Sequence, residues 1–413
     1  MSADPAPAKP WLSIVGIGED GTDGLSPRAR HAITEASVVF GGRRHLELAA
    51  PLVTGEAVAW PTPFSIAPLL ARRGERCAVL ASGDPFLFGV GNVIAAAIAP
   101  AEFIALPAPS AFSLAANRLG WPLAEVTTLS LHGRPISLIR PHLHPGARLL
   151  ALTSDAAAPA AIAALLTGSG FGGSAVTVLE ALGGPDERIR TTTAATFDLG
   201  GIHPLNLLAI TVVAAPGARI LARASGLDDA LFESDGQITK REIRTLTLSA
   251  LAPRQGERLW DIGAGSGSVG IEWMLAGRSM RAIAIEPRAD RADRILRNAE
   301  AFGVPGLDLV RGAAPDALAG LARPDAIFIG GGATEPGVLE AALAALGGGG
   351  RLVINAVTLE TERLVLDAHA RLGGSLLRIA IDRAMPLAGM TSWEPARPIT
   401  QWTWWSPETG SAP

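Results

Sequence analysis

Short apolar runs that stop at glycine or proline alternate along the chain with amphipathic stretches, the pattern of layered α/β units. In the N-terminal half, "WLSIVGIG", "ASVVFGG", "CAVLASGDP" and "EFIALPAPS" each read as a strand closed by a Gly or Pro stop. Helical patterns such as "SPRARHAITEA" lie between them, with Ser26 as N-cap and Pro27 at the first helical position. Beyond Ser110 the texture changes. "RLLALTS", "AVTVLEALGG", "ERIRTTTAATF" and "NLLAITVVA" alternate Thr with aliphatics and predict a second subdomain richer in antiparallel sheet. A third series predicts strands at "RLWDIG", "RAIAIE", "LDLVRG", "DAIFIGG", "RLVINAV", "LLRIAID" and "TQWTWW", the last two placed to pair antiparallel. Seven strands in that order depart from a simple dinucleotide sheet. The run "LGGGGRL" is a turn between helix and strand, and no repeat emerges at solenoid spacing.

At 413 residues the chain is long for one domain, and two are expected. The break in texture at residues 215–223 sets the boundaries. An arm over 1–10 precedes a first domain over 11–217, with subdomains at about 11–108 and 109–217; a second domain follows over 218–406, then a tail over 407–413. A net charge of −4 leaves no electrostatic footprint for nucleic acid. The single cysteine, Cys77, excludes a disulfide framework and a cysteine-based zinc site, so no metal is expected and a reducing cytoplasm is indicated. The start "MSADPAPAKP" is polar and Pro-rich, unlike a signal peptide. Apolar stretches such as "VIAAAIAPAEFIAL" are broken by Pro and Glu and fall short of the ~20 residues of a spanning helix, so no membrane association is expected.

Two glycine loops carry the candidate chemistry. "LWDIGAGSGSVG" contains Gly265-x-Gly267-x-x-Gly270, and "SIVGIGEDG" contains Gly16-x-Gly18-x-x-Gly21; both match the dinucleotide fingerprint formally. Such a turn after a parallel strand brings the backbone close to a ligand, whether nicotinamide cofactor or S-adenosylmethionine. Three features of the C-terminal loop favour the latter. Asp261 precedes the first glycine, where it either anchors the loop or faces a cationic amino-acid group. Glu286 ends the second strand, where a carboxylate accepts from both ribose hydroxyls. "PDAIFIGGG" leaves room for a bulky acceptor. The N-terminal loop fails the nicotinamide test more plainly, because Glu35 falls in a helical stretch and not at a strand end. "SGDPFLFGVG" reads either as part of a binding loop or as a turn whose Asp84 caps a helix.

"VGIGEDG", "VVFGGRRHLELA", "SGDPFLFGVG" and "PAPSAFSLAANRLGWPLAEV" together resemble the tetrapyrrole methylases, although Glu19-Asp20 stands where their commoner loop has Pro. "FESDGQITKREIRTLTLSALAP", "LWDIGAGSGSVGIEWMLA", "PDAIFIGGG", "INAVTLE" and "WEPARPITQW" look like a seven-strand S-adenosylmethionine methyltransferase. Joined in one chain, residues 10–406 resemble the bifunctional precorrin-6Y C(5,15)-methyltransferase (decarboxylating) family of cobalamin (vitamin B12) biosynthesis. The resemblance implies an α/β chain: a tetrapyrrole methylase fold of two α/β subdomains, then a Rossmann-like seven-strand domain. It also implies methylation of precorrin-6Y (precorrin-6B) at carbons 5 and 15 by two S-adenosylmethionines, with loss of the ring-C acetate carboxyl, giving precorrin-8X. Carbon 5 falls to the first half, carbon 15 and the decarboxylation to the second.

The same resemblance implies cofactor contacts from Thr239, Gly263, Ala264, Gly265, Ser266, Gly267, Glu286 and Ala314 in the second half, and from Gly16, Gly18, Gly83, Asp84, Pro85, Ser110 and Ala111 in the first. Relatives often carry Asp where this chain has Ala313, so no carboxylate is available there for the adenine amine. A polycarboxylate substrate needs local positive charge, and "TKREIR" nominates Lys240, Arg241 and Arg244, which otherwise form a solvated basic helix face. No catalytic residue is identified; Glu233, Asp235 and His369 are weak nominations for a general acid. Trp393, Trp402, Trp404 and Trp405 form either an aromatic wall for a flat macrocycle or core packing of the last strands. The expected partner is a small-molecule tetrapyrrole, and a homo-oligomer is the expected assembly. Competing readings are a methyltransferase for another tetrapyrrole, a dinucleotide-dependent oxidoreductase and a non-catalytic tetrapyrrole carrier.

Overall fold

The computed structural model describes residues 10–408, so nearly all of the expected arm and the end of the tail lie outside the described residues. Two compact units result. One holds the described residues up to Ile136 together with His142–Arg219; the other holds Ser137–Pro141 and the described residues from Ile220 onward.

The first unit contains two five-stranded sheets. Strands β1 (Leu12–Ile17), β2 (Val38–Gly41), β3 (Glu56–Ala59), β4 (Cys77–Ser82) and β5 (Phe103–Leu106) pair in parallel in the order β3-β2-β4-β1-β5. The helix Pro27–Thr34 begins as the sequence indicates: Ser26 Oγ accepts from the Ala29 N–H at 3.2 Å, and Pro27 follows at the first position. Strand β3 was not legible, because it is an edge strand whose "EAVA" faces solvent at nearly every residue. The second sheet comprises β6 (Thr127–Ser130), β7 (Arg148–Leu152), β8 (Ala175–Glu180), β9 (Arg188–Thr193) and β10 (Asn206–Thr211) in the order β6-β7-β10-β8-β9. All its pairings are antiparallel except β6 with β7, in keeping with the Thr/aliphatic alternation.

The second unit carries β11 (Arg258–Ile262), β12 (Arg281–Glu286), β13 (Asp308–Arg311), β14 (Ala326–Ile329), β15 (Arg351–Ala356), β16 (Ser375–Ile379), β17 (Asp382–Leu387), β18 (Met390–Pro395) and β19 (Ile399–Trp405). Seven form one sheet in the order β13-β12-β11-β14-β15-β19-β16, the first five parallel and β19 antiparallel to both its neighbours. The strand order reverses between β11 and β14, so the carboxyl ends of these strands frame a crevice suited to a ligand. The remaining two strands form a hairpin that the sequence pattern did not disclose. Every residue of β17 and β18 is exposed, so no core-facing alternation marks them.

Buried apolar clusters cover both faces of the seven-stranded sheet. Two arginines are sealed into this unit. Arg351 donates from Nε to the Leu251 carbonyl at 2.7 Å and from Nη1 to Glu257 Oε1 at 2.7 Å. Arg244 is described with the site. Among the described residues no helix is long and apolar enough to cross a membrane, and no cluster of His, Cys, Asp and Glu could hold a metal ion.

Candidate functional site

In the second unit a cavity of about 780 Å³ opens at the carboxyl ends of β11, β12, β14 and β15. Part of its wall is built from glycines. Gly263, Gly265 and Gly267 all have positive φ, at 68°, 59° and 75°. A Cβ on Gly263 would lie 2.6 Å from the Gly331 carbonyl oxygen, so the loop after β14 passes this close only because Gly263 lacks a side chain. Glu286 at the end of β12 is buried and holds the turn: its Oε2 accepts from the Gly265 N–H at 2.8 Å, its Oε1 from the Arg288 N–H at 3.1 Å. Each carboxylate oxygen keeps a further lone pair, enough for two hydroxyls. The turn, the carboxylate and the cavity's size fit an adenosyl group.

Of the residues expected at this site, Thr239, Gly263, Ala264, Gly265, Glu286 and Ala314 line the cavity, as does Ala313. Ser266 and Gly267 do not. Ser266 is buried behind the turn, its carbonyl accepting from Asn298 Nδ2 at 2.9 Å, and Gly267 backs onto Ile295. Asp261 is also absent from the lining. Its Oδ2 accepts from the Gly270 N–H at 2.9 Å, in the first turn of the helix Ser268–Leu275, so loop anchoring is the role the geometry supports. Burial pushes its carboxyl up to about 7, with the Glu286 charge adding to the effect.

The basic segment needs correction. Arg244 is fully buried and donates to Glu272 Oε1 at 2.6 Å and to Asp229 Oδ1 at 3.0 Å, with the Leu227 carbonyl as a further acceptor. Glu272 in turn accepts from the N–H groups of Gly226 and Leu227 at 2.7 and 2.9 Å. Arg244 therefore fastens the segment before its helix and is closed to any substrate. Arg241 does not line the cavity but a neighbouring acidic depression with Asp228, Asp229 and Glu242, which Lys240 and Arg383 also border. Lys240 reaches the cavity wall while its Nζ stands 3.7 Å from Asp229 Oδ2.

Neither do the nominated acids line the cavity. Asp235 pairs with Arg291 at 2.9 Å, which holds its carboxyl down at about 2; Glu233 pairs with Arg297 at 2.8 Å. His369 sits near the end of the helix Leu359–Leu372, with Nδ1 3.2 Å from the Gly373 carbonyl oxygen. Of the two readings of the tryptophans, core packing holds for Trp402 and Trp404. Trp402 is core, donating to the Gly373 carbonyl at 2.9 Å, Trp393 projects from the exposed hairpin, and none of the four lines the cavity.

The lining also includes Phe328, Ile379, Ile381 and Ile399, the polar Asn355, and cations from Lys240, Arg288, Arg291, Arg383 and Arg397, of which Arg383 pairs with Glu242 at 2.6 Å. Arg383 lies on β17 and Arg397 just beyond β18, so their arrival here depends on a hairpin invisible to the sequence pattern.

The first unit has a cavity of its own, of about 530 Å³. Gly18, Gly83, Asp84, Ser110 and Ala111 line it. Gly16 and Pro85 stand behind: a Cβ on Gly16 would meet the Gly83 carbonyl oxygen at 1.8 Å, and the Pro85 carbonyl accepts from the Gly91 N–H at 2.9 Å. Asp84 makes a turn, accepting from the Phe86 N–H at 2.9 Å, and Ser110 caps the helix Ala111–Leu119. A cluster overlooked in the sequence lies on one wall. Arg44 donates to Ser82 Oγ and to His45 Nε2, both at 3.0 Å, and pairs with Glu19. His45 Nε2 also lies 2.8 Å from Ser82 Oγ, so Arg44, His45 and Ser82 form one polar cluster. Burial, then the Arg44 charge, lower the imidazole to about 4.

Comparison with known proteins follows the same division. Residues 12–198 match the tetrapyrrole (corrin/porphyrin) methylases, and residues 230–406 match the precorrin methyltransferase domain. Both matches fall in one class, methyltransferases of corrin- and porphyrin-type rings. A precorrin-6Y C(5,15)-methyltransferase [decarboxylating] of a Sinorhizobium species is 63% identical over 405 residues, covering 98% of each chain. The protein of that name from Mycobacterium tuberculosis (strain H37Rv) is 44% identical, covering 95% of this chain and 99% of its own. The crystal structure of the C-terminal domain of precorrin-6Y C5,15-methyltransferase from Rhodobacter capsulatus is 50% identical, with a TM-score of 0.43, and covers 45% of this chain and 100% of its own. The chain belongs to the precorrin-6Y C(5,15)-methyltransferase (decarboxylating) family of S-adenosylmethionine-dependent enzymes.

Proposed function

We propose that this chain converts precorrin-6Y to precorrin-8X, methylating carbons 5 and 15 and releasing the ring-C acetate carboxyl as carbon dioxide. The observation that carries this reading is the lining of the C-terminal cavity: a glycine turn held by a buried carboxylate, together with apolar side chains and cations that include Lys240, Arg383 and Arg397. A flat macrocycle edged with carboxylates matches such a lining in its chemistry, apolar side chains for the ring and cations for the carboxylates.

S-adenosylmethionine supplies an electrophilic methyl group on a sulfonium. The chain's own part is orientation. Glu286 offers its free lone pairs to the ribose, and the open turn at Gly263 and Gly265 admits the amino-acid end. Lys240, Arg383 and Arg397 hold carboxylate arms while Ile379, Ile381 and Ile399 exclude water from beneath the ring. Positioning of this kind supplies on the order of 7–11 kcal/mol of a transfer barrier. In the first unit, Gly18, Gly83, Ser110 and Ala111 form the second proposed donor site, assigned to carbon 5. The free thiol of Cys77 suits a reducing compartment, and the cytoplasm is the proposed location.

Incubation of the chain with S-adenosylmethionine and precorrin-6Y, read by product mass, tests the proposal. Two added methyls less one carbon dioxide is the expected result; an unaltered ring mass overturns it.

A further inference from the structure

Asn355, near the end of β15, lines the C-terminal cavity, and its orientation is dictated by buried neighbours. Thr247 Oγ1 donates to the Ile243 carbonyl at 2.8 Å, so that oxygen is left only to accept. It accepts from Asn355 Nδ2 at 2.8 Å, which turns the amide nitrogen toward Thr247. Asn355 Oδ1 then accepts from Gln401 Nε2 at 2.9 Å. One backbone carbonyl thus sets the direction of the whole amide chain. Thr247 and Gln401 are buried, and Asn355 carries the chain to the cavity wall. After these bonds, one N–H and one carbonyl lone pair of Asn355 remain unspent by the described residues.

This pre-set donor stands apart in charge from the other groups offered to the acceptor. Lys240, Arg383 and Arg397 are cations, whereas Asn355 is neutral, and the lining it belongs to also contains the apolar Val357, Ile379 and Ile399. That contrast matters for a carboxylate destined to leave. When the acetate decarboxylates, the bond between its methylene and carboxyl carbons breaks and the electron pair passes into the ring. Carbon dioxide departs, and the methylene carbon takes a proton originating in water. Negative charge therefore drains from the carboxylate in the transition state. A cation held against it would stabilise the ground state more than the transition state and slow the step. A neutral donor in apolar surroundings fixes the arm's direction with far less of that penalty.

Resting on the proposed function, we propose that Asn355 binds the ring-C acetate that is lost, while Lys240, Arg383 and Arg397 take the carboxylates that stay. The assignment makes Asn355 a specificity-determining residue for which arm is cleaved.

The test uses the full chain with S-adenosylmethionine and precorrin-6Y, following carbon dioxide release, product mass and S-adenosylhomocysteine affinity. For Asn355→Ala, kcat for carbon dioxide release should fall about a hundredfold, as for loss of one oriented donor. S-adenosylhomocysteine affinity should stay within about twofold, since no proposed donor contact is touched. Thr247→Val leaves Asn355 in place but removes the acceptor that aims it, and should lower the same kcat about tenfold with KM little changed. Should Asn355→Ala lose its cooperative melt, Thr247→Val decides alone. Carbon dioxide release within about threefold of the unaltered chain, in a folded variant, overturns the assignment. If the unaltered chain itself releases no carbon dioxide and adds no methyl, the proposed function fails first, and the assignment with it.

Discussion

The Gly265 N–H donates to Glu286 Oε2 at 2.8 Å, so the glycine turn after β11 hangs from a carboxylate at the end of β12. The other oxygen of Glu286 takes the Arg288 N–H, and one buried side chain thereby holds the loops that follow two neighbouring strands.

Glu286→Gln should lower S-adenosylhomocysteine affinity in the second unit by about 10–100-fold, since its amide nitrogen must face either the Gly265 or the Arg288 N–H and a charge-assisted acceptor is lost. Uptake by the first unit should be untouched. Calorimetry on the full chain would register two binding events before the substitution and one tight event after it. Two unchanged events would remove Glu286 from the site.

Asp261 gives the second unit a pH dependence of unusual sign. Its carboxyl is raised from 3.8 to about 7, first by burial, so the folded chain retains a proton that the unfolded chain has released. Stability from this group is full below about pH 4 and is lost as pH rises through about 7. Asp261→Asn keeps an oxygen for the Gly270 N–H and abolishes the titration. Between pH 5 and 8 the unaltered chain should lose on the order of 1–3 kcal/mol relative to the variant. Denaturant midpoints that track each other across that range would refute the shift.

Arg244→Ala should destabilise the second unit by about 3–5 kcal/mol, because Glu272 is left buried without its cation. The KM for the tetrapyrrole, measured well below the melting temperature, should not change. A raised KM with an unchanged melt would restore Arg244 to the substrate site.

Lys240→Gln combined with Arg397→Gln should raise the tetrapyrrole KM about 10–100-fold, because two charge-assisted contacts are lost. Added salt should raise KM in the unaltered chain and do so less in the variant. Equal salt dependence would show that these cations do not meet the substrate.

Gly16→Ala should destabilise the first unit by about 2 kcal/mol or more, since its Cβ would collide with the backbone of Gly83 and Ala108. Gly120→Ala offers the comparison: its φ of 63° is strained for alanine, yet no atom lies within contact of the added carbon. A milder effect at Gly16 than at Gly120 would contradict the packing.

Legibility followed the range of each interaction. Ser26 and Pro27 announce a helix start within three residues, and the glycines at 263, 265 and 267 disclose a turn through their own backbone freedom. Arg244 was misread because its burial depends on Glu272, distant in sequence and brought close by helix packing. Arg383, Arg397 and Asn355 carried no local mark. A fully exposed hairpin has no alternation to detect, and the aim of Asn355 is set by a carbonyl 112 residues earlier, at Ile243.

The amino-acid order alone determined the seven strands of the second unit's main sheet, the glycine turns and the carboxylate at the end of β12, all consequences of short-range periodicity and dihedral preference. Only the tertiary structure decided which charges are sealed and which meet the cavity. Burial and pairing belong to the convergence of separate elements, and no window of the chain contains that convergence.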